Sequence, residues 1–249
     1  MIEVDSIDIQ SARAPIVFLH EGLGSVAMWH SRGAYWPQQV CKATGRKGVV
    51  YSRRGYGRSS SITDVRGANR LPPDYMHQEA WSVLPELLSQ LHIAPPVVLV
   101  GHSDGATIAL LHAARFSASA CIAMAPHVMV EDLSISAIQA AKQAYENGGL
   151  RARLSKFHQD VDCAFWQWND VWLSSAFRHF DIRKECQDIQ CPVLAIQGRQ
   201  DAYGTLQQIE DIAAPAIQKQ VLDNCGHSPH RDQAQATLNY IAAFLEDKA

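Results

Sequence analysis

Apolar residues along much of this chain fall in short continuous blocks, each closed by small, polar or charged residues. Ile16-Val17-Phe18-Leu19, Val49-Val50-Tyr51, Pro96 to Val100 and Pro192 to Ile196 have this form, the pattern of strands buried on both faces of a parallel sheet. The run Ile217 to Leu222 is also strand-like, and residues 1–9 alternate polar and apolar like an edge strand. Between the blocks lie segments with helical spacing, such as Ala106 to Phe116. The alternation of strand and helix up to Ala125 predicts an α/β fold with a mostly parallel central sheet and helices on both faces. It then stops. From about His127 to Ile189 no strand candidate occurs, and helices are expected at 134–147, 150–158 and 160–173, the first two separated by Asn147-Gly148-Gly149. Residues 1–126 and 190–249 are therefore expected to form one core, with 127–189 a helical insertion.

The stretch Gly101-His102-Ser103-Asp104-Gly105, at the end of one strand and the start of a helix, carries the strongest chemical signal. Glycine two residues before and after a serine allows a turn tight enough to hold the hydroxyl clear of the sheet. A serine hydroxyl is a poor nucleophile at neutral pH and needs an imidazole to take its proton and a carboxylate to orient that imidazole. Asp201 stands just past the strand Pro192 to Gly198, and His227 lies in the loop after the strand 217–222. The chain order is thus Ser103, Asp201, His227.

With these residues the chain resembles the α/β-hydrolase fold superfamily over nearly its whole length. Two further segments support the resemblance. His20-Glu21-Gly22-Leu23-Gly24 is similar to the family's His-Gly loop, and Arg53-Arg54-Gly55-Tyr56-Gly57-Arg58-Ser59 to the family's Arg-Gly-x-Gly-x-Ser turn before the second major helix, of mainly structural use. The resemblance implies a helical cap inserted after the sixth strand and an oxyanion hole built from the N–H of Asp104 and that of Gly22 or Leu23. Glu21 stands where glycine commonly follows the histidine. His20 is expected to brace its loop and His102 to pack beneath the turn. Asp132 is a second possible acid, after the strand that precedes the cap.

Aromatic residues crowd the insertion: Phe157, Phe165, Trp166, Trp168, Trp172, Phe177 and Phe180. A small helical cap needs such side chains to hold itself together, and some are expected to line a pocket over Ser103, with Phe165, Trp166 and Trp168 the candidates for substrate contact.

Composition narrows the function. Lys and Arg number 22 against 25 Asp and Glu, so at net charge −3 neither nucleic acid nor an anionic membrane is favoured as a partner. No signal-like start or apolar membrane run is present, and six scattered cysteines without C-x-x-C spacing read as reduced thiols, pointing to a cytoplasmic protein. His227 and His230 have H-x-x-H spacing, but Pro229 and the loop setting argue against a metal, and no cofactor is expected. The expected activity is a serine hydrolase of the carboxylesterase type, acting through an acyl-enzyme on a small to medium apolar ester. Carbon-carbon bond hydrolysis of a ring-cleavage product and thioester hydrolysis are the alternatives, and a ligand-binding member of the fold without turnover is the contrasting class. The sequence assigns no oligomeric state.

Overall fold

The computed structural model describes residues 1–31 and 33–246. Seven strands form one sheet: β1 (Glu3–Ile7), β2 (Ile16–Leu19), β3 (Gly48–Ser52), β4 (Val97–His102), β5 (Ala118–Met124), β6 (Val193–Gly198) and β7 (Ile217–Leu222). Their spatial order is β1-β3-β2-β4-β5-β6-β7, with β1 antiparallel to β3 and every other pairing parallel. The continuous apolar blocks occupy the centre, where β2, β3 and β4 are buried along their whole length. The polar-interrupted strand β7 lies at an edge and exposes Gln218 and Lys219, as expected of a strand covered on one side only.

Helices cover both faces. On one, α1 (Trp36–Thr44) and α8 (Ala234–Leu245) bury Trp36, Val40, Ile241 and Phe244 against Ile16, Phe18, Val98 and Val100. On the other, α4 (Asp104–Arg115) and the stretch Tyr75–Gln90 pack on Val17, Leu19, Leu99 and Cys121. That stretch is α2 (Tyr75–Gln78), a π-helical segment (Glu79–Val83) and α3 (Leu84–Gln90). Alternate residues of each central strand therefore feed two separate cores, which is the geometry that demanded apolar residues without alternation.

Between β5 and β6 the chain leaves the sheet as α5 (Asp132–Glu146), α6 (Gly149–Leu154) and α7 (Val161–Trp172), followed by short turns back to the core. The helices start and stop within a few residues of the expected bounds. In chain order the excursion follows the fifth strand of the central sheet, one fewer than the resemblance implied, because that sheet has seven strands among the described residues. It is tied to the core: the lone bridge Met129 to Asp181 closes its base, and Asp170 in α7 takes a two-point contact from Arg66. All six cysteines are buried and free. No helix among the described residues is long and apolar enough to cross a membrane.

Order reverses at β2 and β4, which pair directly, so the loops leaving their carboxyl ends are neighbours. A crevice at such a reversal is where open α/β sheets place ligands.

Candidate active site

Ser103 occupies the turn between β4 and α4 with φ 54° and ψ −122°, a strained backbone for a residue with a Cβ. The flanking glycines are required by contact: a Cβ on Gly101 would strike the Gly105 carbonyl, and one on Gly105 would strike the carbonyls of Leu19 and His20. Main-chain bonds fix the turn, with Ser103 N–H donating to Met124 O at 2.9 Å and Ala106 N–H to Ser103 O at 2.8 Å.

The Ser103 hydroxyl lies 2.9 Å from His227 Nε2. His227 Nδ1 is 2.8 and 2.9 Å from the two Asp201 oxygens. The Asp201 carboxylate also accepts from the Tyr203 N–H (2.7 Å) and the Gln197 amide (2.7 Å). Burial alone would raise the Asp201 pKa, but the His227 ring and the Tyr203 N–H outweigh it and hold the carboxyl below its ordinary value. An acceptor-only Asp201 fixes the His227 proton on Nδ1, leaving the Nε2 lone pair toward Ser103. Asp132, by contrast, is exposed and pairs with Arg178 at 2.6 Å.

His102 and His20 act as braces. His102 is buried, and its Nε2–H donates to the His227 carbonyl at 2.6 Å, so it positions the loop that carries His227. His20 Nε2 accepts from Arg53 N–H (3.0 Å), which leaves Nδ1–H to bond the Glu21 carbonyl (2.7 Å). Arg53 adds bonds to the His20 and Glu21 carbonyls at 2.7 and 3.1 Å. From the insertion, His158 accepts from Gly57 N–H and donates to the Leu23 carbonyl, both at 2.9 Å. With its carbonyls engaged in this way, the loop 20–24 leaves the Gly22 and Leu23 N–H groups without an acceptor among the described residues. The Asp104 N–H opens α4, where no preceding turn can accept from it.

These groups face a cavity of about 150 Å³ whose wall includes Gly22, Leu23, Ser103, Asp104, Ile138, Trp168, Trp172, Tyr203 and His227. Of the aromatic candidates only Trp168 lines it. The Trp168 indole lies so close over Gly22 that a Cβ there would overlap it, which accounts for the glycine. Phe165 is instead fully buried inside the insertion, stacked on Tyr145 with ring centres 3.6 Å apart. Trp166 turns outward, beneath the Arg66 guanidinium at 3.7 Å. Helical phase accounts for Trp166, which lies across the helix from Trp168 and Trp172; Phe165 shares their side but sits a turn nearer the helix start, where Tyr145 covers it.

Three wall residues had no motif to announce them: Tyr203, Ile138 and His127. The His127 ring meets Trp172 edge-on at 4.9 Å, and burial lowers its pKa to about 3, so it is neutral. Asp104 is buried and accepts from the Tyr75 hydroxyl; burial lifts its pKa against the pull of Arg53. Among the described residues no set of three or more His, Cys, Asp or Glu is placed to hold a metal ion, and His230 packs between Trp29, Trp36 and His102.

The family model described as "Alpha/beta hydrolase family" matches residues 16–239. Among solved structures, the enol-lactonase from Burkholderia xenovorans LB400 superposes with a TM-score of 0.73 at 18% identity, over 99% of this chain and 96% of that one. A structure from work on carboxylesterases of the thaumarchaeon Nitrososphaera gargenis gives 0.73 at 16% identity, over 98% and 93%. The proline iminopeptidase of Mycobacterium smegmatis gives 0.68 at 17% identity, over 98% and 94%. At such identities the likeness is one of fold. No curated protein matches the sequence.

Proposed function

The chain belongs to the alpha/beta hydrolase family, and from the hydrogen-bonded line Ser103, His227, Asp201 we propose a serine carboxylesterase that works through an acyl-enzyme. His227 Nε2 takes the hydroxyl proton as Ser103 Oγ attacks the ester carbonyl carbon. The tetrahedral oxyanion is held by the Asp104 N–H and that of Gly22 or Leu23, a contribution of about 3 kcal/mol per donor. When the C–O bond breaks, His227 returns its proton to the departing alkoxide, giving the alcohol and an acyl-Ser103. Water, deprotonated by His227, repeats the attack on the acyl carbon and releases the acid, restoring Ser103.

The observation that carries this reading is the open pair of N–H groups beside an imidazole already 2.9 Å from the serine oxygen. Cavity size supports a small acyl group: about 150 Å³ is below the roughly 300–1,000 Å³ of pockets that take drug-sized ligands. Carboxylesterase and enol-lactonase structures among those of the same fold are compatible with oxygen-ester substrates.

Rates on p-nitrophenyl esters of increasing acyl length test the assignment. Turnover that is highest for acetyl to butyryl esters and falls for longer chains is expected. A fully flat series, or activity unchanged in Ser103→Ala, would overturn it.

A further inference from the structure

A cleft of about 550 Å³ opens between the turn after β3, the stretch around Tyr75–Val83 and cap helix α7. Three guanidiniums stand on its wall, Arg53, Arg54 and Arg70, against one carboxylate, Glu79. That excess of cations is local, since the chain as a whole carries −3. Arg53 and Arg70 donate to carbonyls, those of His20, Glu21 and Asp170, and Arg53 also lies over the Tyr56 ring at 4.8 Å, but none of the three lies within ion-pair distance of a carboxylate among the described residues.

Two buried polar atoms on the same wall lack partners. The Gln167 Nε2, on a side chain 2% exposed, has no acceptor, and Glu79 Oε2 has no donor. Buried donors and acceptors are almost always satisfied, so such a pair marks groups that await a partner. An acceptor for Gln167, a donor for Glu79 and negative charge for the arginines define one kind of molecule. Guanidinium forks match carboxylate and phosphate oxygens in geometry as well as charge.

We propose that this cleft binds a small oxyanion, a carboxylate or phosphate that also carries a hydroxyl or other hydrogen-bond donor, at a site separate from the catalytic cavity. The anionic oxygens meet Arg54 and Arg70 and take the Gln167 N–H, and the ligand's own donor goes to Glu79. This role gives the Arg53-Arg54-Gly55-Tyr56 turn a use beyond structure. It stands independently of the chemistry at Ser103, since the two sites share no wall residue; Tyr75, whose hydroxyl reaches Asp104, lies between them.

Titration calorimetry with inorganic phosphate and with citrate, at ionic strength held constant with sodium chloride, tests the proposal. Saturable one-to-one binding of at least one anion is expected, the tighter one showing which oxyanion the site prefers. Replacing both exposed arginines, Arg54→Ala with Arg70→Ala, should weaken it at least about tenfold. The single variant Arg54→Glu, at an exposed position, should do the same if the double variant does not fold. Ser103→Ala should bind as wild type. No saturable binding of either anion, or binding that survives loss of Arg54 and Arg70, would overturn the assignment.

Discussion

At the scale of single residues, the strain at Ser103 sets stability and chemistry against each other. Its φ of 54° is cheap for glycine alone, so Ser103→Gly should abolish ester turnover while raising stability by about 1 kcal/mol. Ser103→Ala, which keeps the Cβ, should lose turnover with stability within about 1 kcal/mol of wild type. Urea denaturation of the three proteins checks both, and a glycine variant less stable than the alanine variant would contradict the strain. Asp201→Asn should keep the fold and lower kcat about 10⁴-fold, as expected when the imidazole tautomer is no longer imposed. The Ser103, Asp201 and His227 positions were legible in the sequence because each follows a recognisable strand, apolar for the first two and strand-like for the third, and strand ends converge on one edge of a parallel sheet. His102, His127 and His158 were less so: their rings meet the His227 carbonyl, the Trp172 ring and the Leu23 carbonyl, all far off in the chain, a relation that no local pattern contains.

At the scale of elements, α7 divides its aromatics by position along the helix as well as by face, with Trp168 at the cavity and Phe165 one turn earlier under Tyr145. Trp168→Ala should enlarge the cavity beside Gly22 and shift the preferred acyl length upward, whereas Phe165→Ala should leave preference unchanged and cost about 3–5 kcal/mol of stability by opening a void under Tyr145. Acyl-length profiles and thermal melts of the two variants separate these outcomes; a shifted profile in Phe165→Ala would refute the division. The helix itself was evident from spacing; the structure adds that the Asp160 carboxylate caps it through the Cys163 N–H at 3.0 Å. Which face turned to the site was not, since that follows from where α5 brings Tyr145 and Ile138. The π-helical segment Glu79–Val83 was equally hidden, being a small departure from helical period imposed by packing.

Across the whole molecule, burial has been applied to a large number of imidazoles. His20, His102, His112, His127, His158 and His230 all have pKa values lowered, first of all by burial, His102 to about 4 and His127 to about 3. In the unfolded chain each titrates near 6.5, so below that pH the unfolded state binds protons that the folded state refuses. Stability is therefore fully present above about pH 6.5 and falls as the pH drops toward the folded values, by up to about 1.4 kcal/mol per pH unit for each group. The depressed Asp201 carboxyl acts in the same direction at lower pH, its contribution being lost below about pH 4. Urea midpoints should thus decline steeply between about pH 6.5 and pH 5, before carboxylates titrate; a constant midpoint over that range would contradict neutral buried histidines. The architecture was the most legible level of all, because continuous apolar blocks separated by helical segments leave few alternatives to a covered parallel sheet.

The acyl-enzyme itself offers the most direct test. Wild-type protein quenched in acid during turnover of p-nitrophenyl acetate, then digested and weighed by mass spectrometry, should carry one acetyl group on the peptide containing Ser103, and Ser103→Ala should carry none. Turnover with no acetyl group on that peptide, or with acetyl on another residue that tracks the rate, would contradict the serine mechanism.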